Sequence, residues 1–506
     1  MAELTLSALR AQGDAFMEAL SREQYLALSG HQPNAELRPI YDRFARILGP
    51  AALDLVRDAF RTSTEGSDDW RSARALLDWQ VETHASRELA ALDERIIGWE
   101  ATSVIRLPDG REVPYQRAAV DMATEARRPE RLALDDARAA LVESQLAPMR
   151  AERLQRERDL IESLDVAPNY IASFEALSGI DLRSLAAECE SFLRKTEAMW
   201  ADVHGEAVRK HLGIQPGEAT RADALALMRA TRFDPYFPAK EMEAVVRRQV
   251  AEMGVEPTAN GHIIYDLAAR AGKRSRAFCA PVRIPREVYL VLLPHGGATD
   301  YRTLLHELGH ALHFGYMRDD LPFEFRWLGD NSITEGYAML FDHLLHAPGW
   351  LLRYSALGKT RVAEYQRAAA FEELQFLRRY CAKLLYELRV YGGDMPWSSL
   401  PDAYVDILSA ATTFRYRPAD AFIDVDPRFY SARYLRAWQL QAVLRGRLTE
   451  QFDEDWYRNP RTGPWVVREL FGEGQRELAS ELAARVGAGA LSFDPLITAI
   501  EAGFAA

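Results

Sequence analysis

His306, Glu307 and His310 form a His-Glu-x-x-His pattern within Leu304–His313. Residues four apart on an α-helix lie on one face, one turn above the other. The two imidazoles would therefore point the same way, with the Glu307 carboxylate one step round the helix. Such a pair can hold one zinc ion, and the carboxylate is then placed to take a proton from a water that the ion activates. The chain has only 11 histidines in 506 residues, so this spacing around a glutamate seldom arises by chance. Tyr301, Leu304, Leu305, Leu308, Ala311 and Leu312 recur at helical spacing through the motif, which predicts a buried helix.

Two histidines leave a catalytic zinc site one protein ligand short. Downstream, Asp330-Asn331-Ser332 offers helix caps, and Ile333, Tyr337, Leu340, Phe341 and Leu344 give the following helix an apolar face. Glu335 on that helix is the expected third ligand. The competing reading makes Ser332 the N-cap and Glu335 its capping-box partner. Asp342 shares a face with Glu335 and is expected to accept an N–H from a ligand imidazole, fixing its tautomer; a surface acid is the alternative. His343 and His346 read as packing or surface residues.

These residues carry a family resemblance. His306–His313, with Glu335 25 residues after His310, resembles the zinc oligopeptidases of the thimet oligopeptidase and oligoendopeptidase F group, peptidase family M3. Asp342 matches an acid that this family carries seven residues after its ligand glutamate. Asp320-Leu321-Pro322, Gly329 and Thr334-Glu335-Gly336 are also similar to the angiotensin-converting-enzyme group. The family's Pro-Ser after the glutamate is here Gly336-Tyr337-Ala338, which implies a divergent branch. Tyr430-Ser431-Ala432-Arg433-Tyr434 resembles the family's tyrosine-rich segment. The resemblance implies that Tyr434 first, or Tyr430, steadies the oxyanion, since a phenol is a neutral donor; a packing stripe of Tyr430, Tyr434 and Trp438 is the alternative. A family histidine five residues earlier falls at Val425.

The resemblance covers about Arg276 to Leu448. It implies a zinc metallopeptidase with one zinc per chain and oligopeptide substrates. The fold it implies is mainly α and two-lobed, with a deep channel and a small antiparallel sheet beside the zinc helix. Two other functions share these residues. A dipeptidyl carboxypeptidase needs a cation for the substrate's terminal carboxylate, and Arg433 offers one, with Arg436 as another candidate. A catalytically silent zinc-containing peptide-binding protein would need the ligands alone.

The elements that position this chemistry divide in texture near residue 260. Residues 1–260 read as a helical lobe, with runs near Ser7–Ala27, Ala51–Arg61, Trp70–Trp99, Arg131–Ser163 and Asp181–Leu212. Asp109-Gly110 between short apolar runs predicts one hairpin over Val104–Tyr115. Residues 261–506 read as the catalytic lobe, with its final helices, near Glu469–Val486 and Pro495–Gly503, free to pack back on the first. Strands are expected at His262–Asp266, Arg276–Val282 and Glu287–Leu293. The last leads through Pro294–Gly297 into the motif helix, and an open edge there would pair with an extended peptide.

Net charge is −12, from 62 Lys and Arg against 74 Asp and Glu. With no long basic run, nucleic acid and anionic membrane are poor partners. No apolar run reaches the ~20 residues needed to span a bilayer. The three cysteines form no paired spacing, and the start of the chain lacks a basic and apolar leader, so a cytoplasmic protein is expected.

Overall fold

The computed structural model describes residues 4–506; they are mainly helical, with one two-stranded and one three-stranded sheet. The chain groups into two compact units, each built from separated stretches. The first holds residues up to His84, Phe233–Ala363 and Arg436–Leu496; the second holds Ala85–Arg232, Glu364–Leu435 and Ile497–Ala506. The boundary near residue 260 drawn from sequence texture falls inside the first unit. The chain passes between units within continuous helices at Asp68–Thr102, Lys359–Gly392 and Tyr430–Phe452. Among the described residues, no helix is long and apolar enough to cross a membrane.

In the second unit the expected hairpin forms, Val104–Arg106 pairing antiparallel with Glu112–Pro114. Gly110 takes the positive φ, 87°, that its turn requires. Ile105 and Leu107 pack with Ala118, Met122, Leu134 and Ala222.

In the first unit, the strands Ile263–Asp266, Phe278–Arg283 and Glu287–Val291 form one sheet. Glu287–Val291 is the central strand. It runs parallel to Ile263–Asp266 and antiparallel to Phe278–Arg283. The sheet is therefore mixed, where an antiparallel one was expected. The strand leading into the motif helix is paired on both sides and has no open edge for a peptide. The N-terminal helix, Leu6–Leu28, packs on Phe278–Arg283: Ser21 Oγ donates to the Pro281 carbonyl at 2.6 Å, and Tyr25 stacks on Tyr289 at 3.8 Å. Tyr25, Ala280, Val282 and Val291 form the core between helix and sheet.

The motif helix spans Ala298–Tyr316. Gly297, at φ 93°, precedes it and donates its N–H to the Phe237 carbonyl at 2.8 Å, while Asp300 in the first turn accepts from the His295 and Gly296 amides. Leu304, Leu305, Leu308 and Leu312 are fully buried, each worth roughly 2 kcal/mol against exposure. The second site helix, Asn331–Asp342, is buried from Ser332 to Phe341. A helix buried all round must give every polar side chain a partner or a function. Gly309 lets the two helices touch: a Cβ there would lie 2.6 Å from Ala338 Cα and 2.7 Å from the Tyr337 carbonyl oxygen.

The expected single helix over Glu469–Val486 is instead broken. Thr462–Glu469 ends, Phe471–Glu473 makes one 3₁₀ turn, and Ala479–Arg485 resumes. Gly472 and Gly474 interrupt the periodicity, and the Gln475 amide bonds the Phe325 carbonyl at 2.9 Å.

Candidate metal centre

His306 and His310 project from one face of the motif helix, their rings 5.0 Å apart. Asn331–Asp342 brings Glu335 to them. Its N-cap is Asp330, whose carboxylate accepts the Ser332 amide at 2.9 Å and the Ala479 amide at 2.9 Å. Ser332 is thus inside the helix, no capping box uses Glu335, and that carboxylate faces the histidine pair. Glu335 Oε2 lies 3.4 Å from His306 Nε2 and 3.8 Å from His310 Nε2.

Donors on a tetrahedral ion with bonds of about 2.1 Å stand about 3.4 Å apart. The ligand-capable atoms of His306, His310 and Glu335 all fall within 4.8 Å of one another. Spacing and chemistry, two imidazoles and one carboxylate, therefore fit a zinc ion with one position left over. The His306 side chain keeps 22% of its exposure and His310 12%, so a small molecule can reach the cluster.

Each of the two rings is held at its other nitrogen. His306 Nδ1 lies 2.9 Å from Asp342 Oδ2. A carboxylate only accepts, so the ring N–H donates and Nε2 faces Glu335. Asp342 Oδ1 in turn accepts from His343 Nδ1 at 2.8 Å. His310 Nδ1 meets Thr334 Oγ1 at 2.8 Å. The sequence reading took His343 as a packing or surface residue and Thr334 only as part of the resemblance; the structure puts both against site residues. The signal for a contact was adjacency, Thr334 before Glu335 and His343 after Asp342.

The charges follow from these contacts. Burial alone would pull the His306 imidazolium down, but Asp342 and Glu335 outweigh it and raise the ring to about 10. Burial drops His310 to about 4, leaving a neutral ring with a lone pair to give. Burial would lift Asp342, yet the N–H groups of His306 and His343 hold it far below the ordinary carboxylate range. Burial raises Glu307 to about 7, opposed by the His306 charge and by the Cys279 amide, which donates to Glu307 Oε2 at 2.8 Å. Cys279 lies on the sheet's edge strand, so the sheet fixes one oxygen of Glu307. His313, one turn beyond His310, is fully buried against Tyr337 and Phe471 and is pulled down to about 3 by burial; it packs and is not part of the ligand cluster.

Tyr430, Arg433, Tyr434 and Val425 lie in the second unit, and Arg436 begins a stretch of the first. Tyr430 and Tyr434 are half-buried on the first turns of Tyr430–Phe452, their rings edge to face at 4.9 Å, with Tyr380 5.7 Å from Tyr434. Arg433 is buried, its guanidinium over the Phe174 ring at 5.7 Å. Val425 is buried too. Arg428 and Phe429, just before the helix, both take positive φ, 53° and 48°, and the Arg428 amide is held by the Tyr170 hydroxyl at 3.0 Å. Two consecutive non-glycine residues in this region cost about 1–3 kcal/mol each.

No family model matches the chain, and no curated protein matches it.

Proposed function

We propose that the protein is a zinc-dependent metallopeptidase that hydrolyses oligopeptides. The observation that carries this reading is the convergence of His306, His310 and Glu335 from two helices, with Glu307 beside them at a pKa of about 7. When bound, zinc supplies Lewis acidity that polarises a carbonyl and makes water a better nucleophile. Glu307 does the proton chemistry. One of its oxygens is fixed by the Cys279 amide; the other takes a proton from the attacking water. The new C–O bond forms, the C–N bond breaks, and Glu307 returns the proton to the leaving amine. A carboxyl that burial lifts above its ordinary range is suited to both transfers.

Tyr434, with Tyr430 as second choice, is proposed to donate to the oxyanion. The channel implied by the family resemblance belongs to the same proposal and limits substrates to oligopeptides. Arg433 is buried with its guanidinium over the Phe174 ring, which disfavours a carboxypeptidase mode in which this guanidinium, rather than Arg436, holds the substrate terminus.

Glu307→Gln tests the reading. The variant is expected to bind zinc as the parent does and to lose at least about 10²-fold in peptide cleavage. Mass spectrometry of a defined ten-residue peptide, free or blocked at either end, gives both rate and cut position. Cleavage by the variant at the parent's rate overturns the assignment. Zinc uptake with no cleavage by the parent supports the silent, peptide-binding alternative.

A further inference from the structure

Asp342 is usually sufficient explanation for the orientation of a ligand such as His306, yet here it is itself restrained. His343 begins the 3₁₀ turn His343–His346 directly after the second site helix, and it is buried. Its Nδ1 lies 2.8 Å from Asp342 Oδ1 and 2.7 Å from the Met339 carbonyl oxygen. Both neighbours only accept, so Nδ1 carries a proton and shares it between them. The Met339 carbonyl belongs to the last turn of that helix, and it anchors the His343 ring to the helix end. The result is one line of contacts: Met339 carbonyl, His343 ring, Asp342 carboxylate, His306 ring.

We infer that His343 is a positioning residue for the metal centre, holding the far oxygen of Asp342 so that the near oxygen sets the plane and tautomer of His306. The inference rests on the zinc reading above. It concerns the layer behind Asp342, where a carboxylate free to swing about its Cβ–Cγ bond would lose its aim at His306 Nδ1. Outer partners of metal-bound histidines are typically worth about 10–100-fold in metal affinity.

The test is zinc affinity, measured by chelator competition on the full chain. His343→Phe keeps the ring volume and removes the N–H. His343→Asn puts an amide N–H the same number of bonds from Cα as Nδ1. The phenylalanine variant is expected to bind zinc about 10–100-fold more weakly, and the asparagine variant within about threefold of the parent. In an Asp342→Ala background, His343→Phe is expected to add nothing, because its route to His306 is already cut. If the phenylalanine variant fails to fold, His343→Leu takes its place. A phenylalanine variant that binds like the parent, an asparagine variant as weak as it, or a full effect persisting in the Asp342→Ala background overturns the inference while leaving the zinc site standing. A parent chain that binds no zinc overturns both.

Discussion

Gly309→Ala should open the metal centre without touching a ligand. Gly309 sits between His306 and His310 on the motif helix, where the second site helix crosses. An added Cβ would lie 2.6 Å from Ala338 Cα, 2.7 Å from the Tyr337 carbonyl oxygen and 3.0 Å from the Ala338 nitrogen. Carbon atoms rest about 3.5–4.0 Å apart, so the helices must separate by about 1 Å. Every obstructing atom is backbone, and no rotamer relieves the clash. Ala338 is one turn beyond Glu335, so the displacement carries that carboxylate with it. Metal–ligand distances tolerate only about ±0.2 Å. The two cross-helix bonds, Asp342 to His306 at 2.9 Å and Thr334 to His310 at 2.8 Å, stretch as well. The expected loss in zinc affinity is on the order of 10²-fold or more, since a ligand and both outer partners are affected. Helix propensity runs the other way, alanine being favoured over glycine by about 1 kcal/mol, so a loss is steric in origin. Overpacking is expected to cost about 1–3 kcal/mol of stability. Gly336→Ala is the control: the three atoms nearest its Cβ all belong to the Leu440 side chain, and the closest, Cδ2 at 2.8 Å, is a side-chain end that can move. That variant should lose stability but keep zinc within about threefold. Chelator competition and thermal unfolding of the metal-stripped proteins give the two quantities. Parental zinc affinity in Gly309→Ala would refute the close-approach reasoning.

Three further outcomes follow from the same geometry. His306 is raised to about 10 in the metal-stripped protein, so its proton stabilises the fold fully below about pH 6.5 and progressively less toward pH 10. The melting temperature of stripped protein should therefore fall between pH 7 and pH 10. Zinc at pH 7 should also displace that proton, seen as a dependence of the binding heat on buffer ionisation enthalpy; a flat melting profile together with buffer-independent heat contradicts this. Thr334→Val removes the acceptor for His310 Nδ1 at nearly constant volume, and zinc binding should weaken about tenfold with the fold intact by circular dichroism. Tyr434→Phe should lower kcat by about 10²-fold with KM little changed, as for loss of an oxyanion donor; an unchanged kcat returns Tyr434 to a packing role.

The motif helix was legible in the sequence because covalent spacing alone puts His306, Glu307 and His310 together, and the apolar stripe from Tyr301 to Leu312 marks the buried face. Glu335 was only half legible. Its role turned on which residue starts the helix, and the choice of Asp330 over Ser332 is made by a tertiary bond to the Ala479 amide. The three strands could be located, but their order could not. Parallel pairing of Ile263–Asp266 with Glu287–Val291 skips over the strand between them in sequence, and nothing in either segment's pattern encodes that choice. The interleaving of the two units was hidden for a related reason: helices such as Lys359–Gly392 keep one periodicity while passing from one unit to the other. The contacts of Thr334 and His343 were not legible, because a hydroxyl or imidazole beside an expected site residue has no pattern of its own until a partner group faces it.

His306, His310 and Glu335 are proposed to share one metal ion. X-ray absorption on the zinc-loaded chain measures this most directly, beside the same spectrum from Glu335→Ala. Expected are one zinc per chain, two imidazoles and light oxygen ligands at about 2.0–2.2 Å, and a spectrum that changes when the carboxylate is removed. A chain that takes up no zinc, or a spectrum identical in parent and Glu335→Ala, contradicts it.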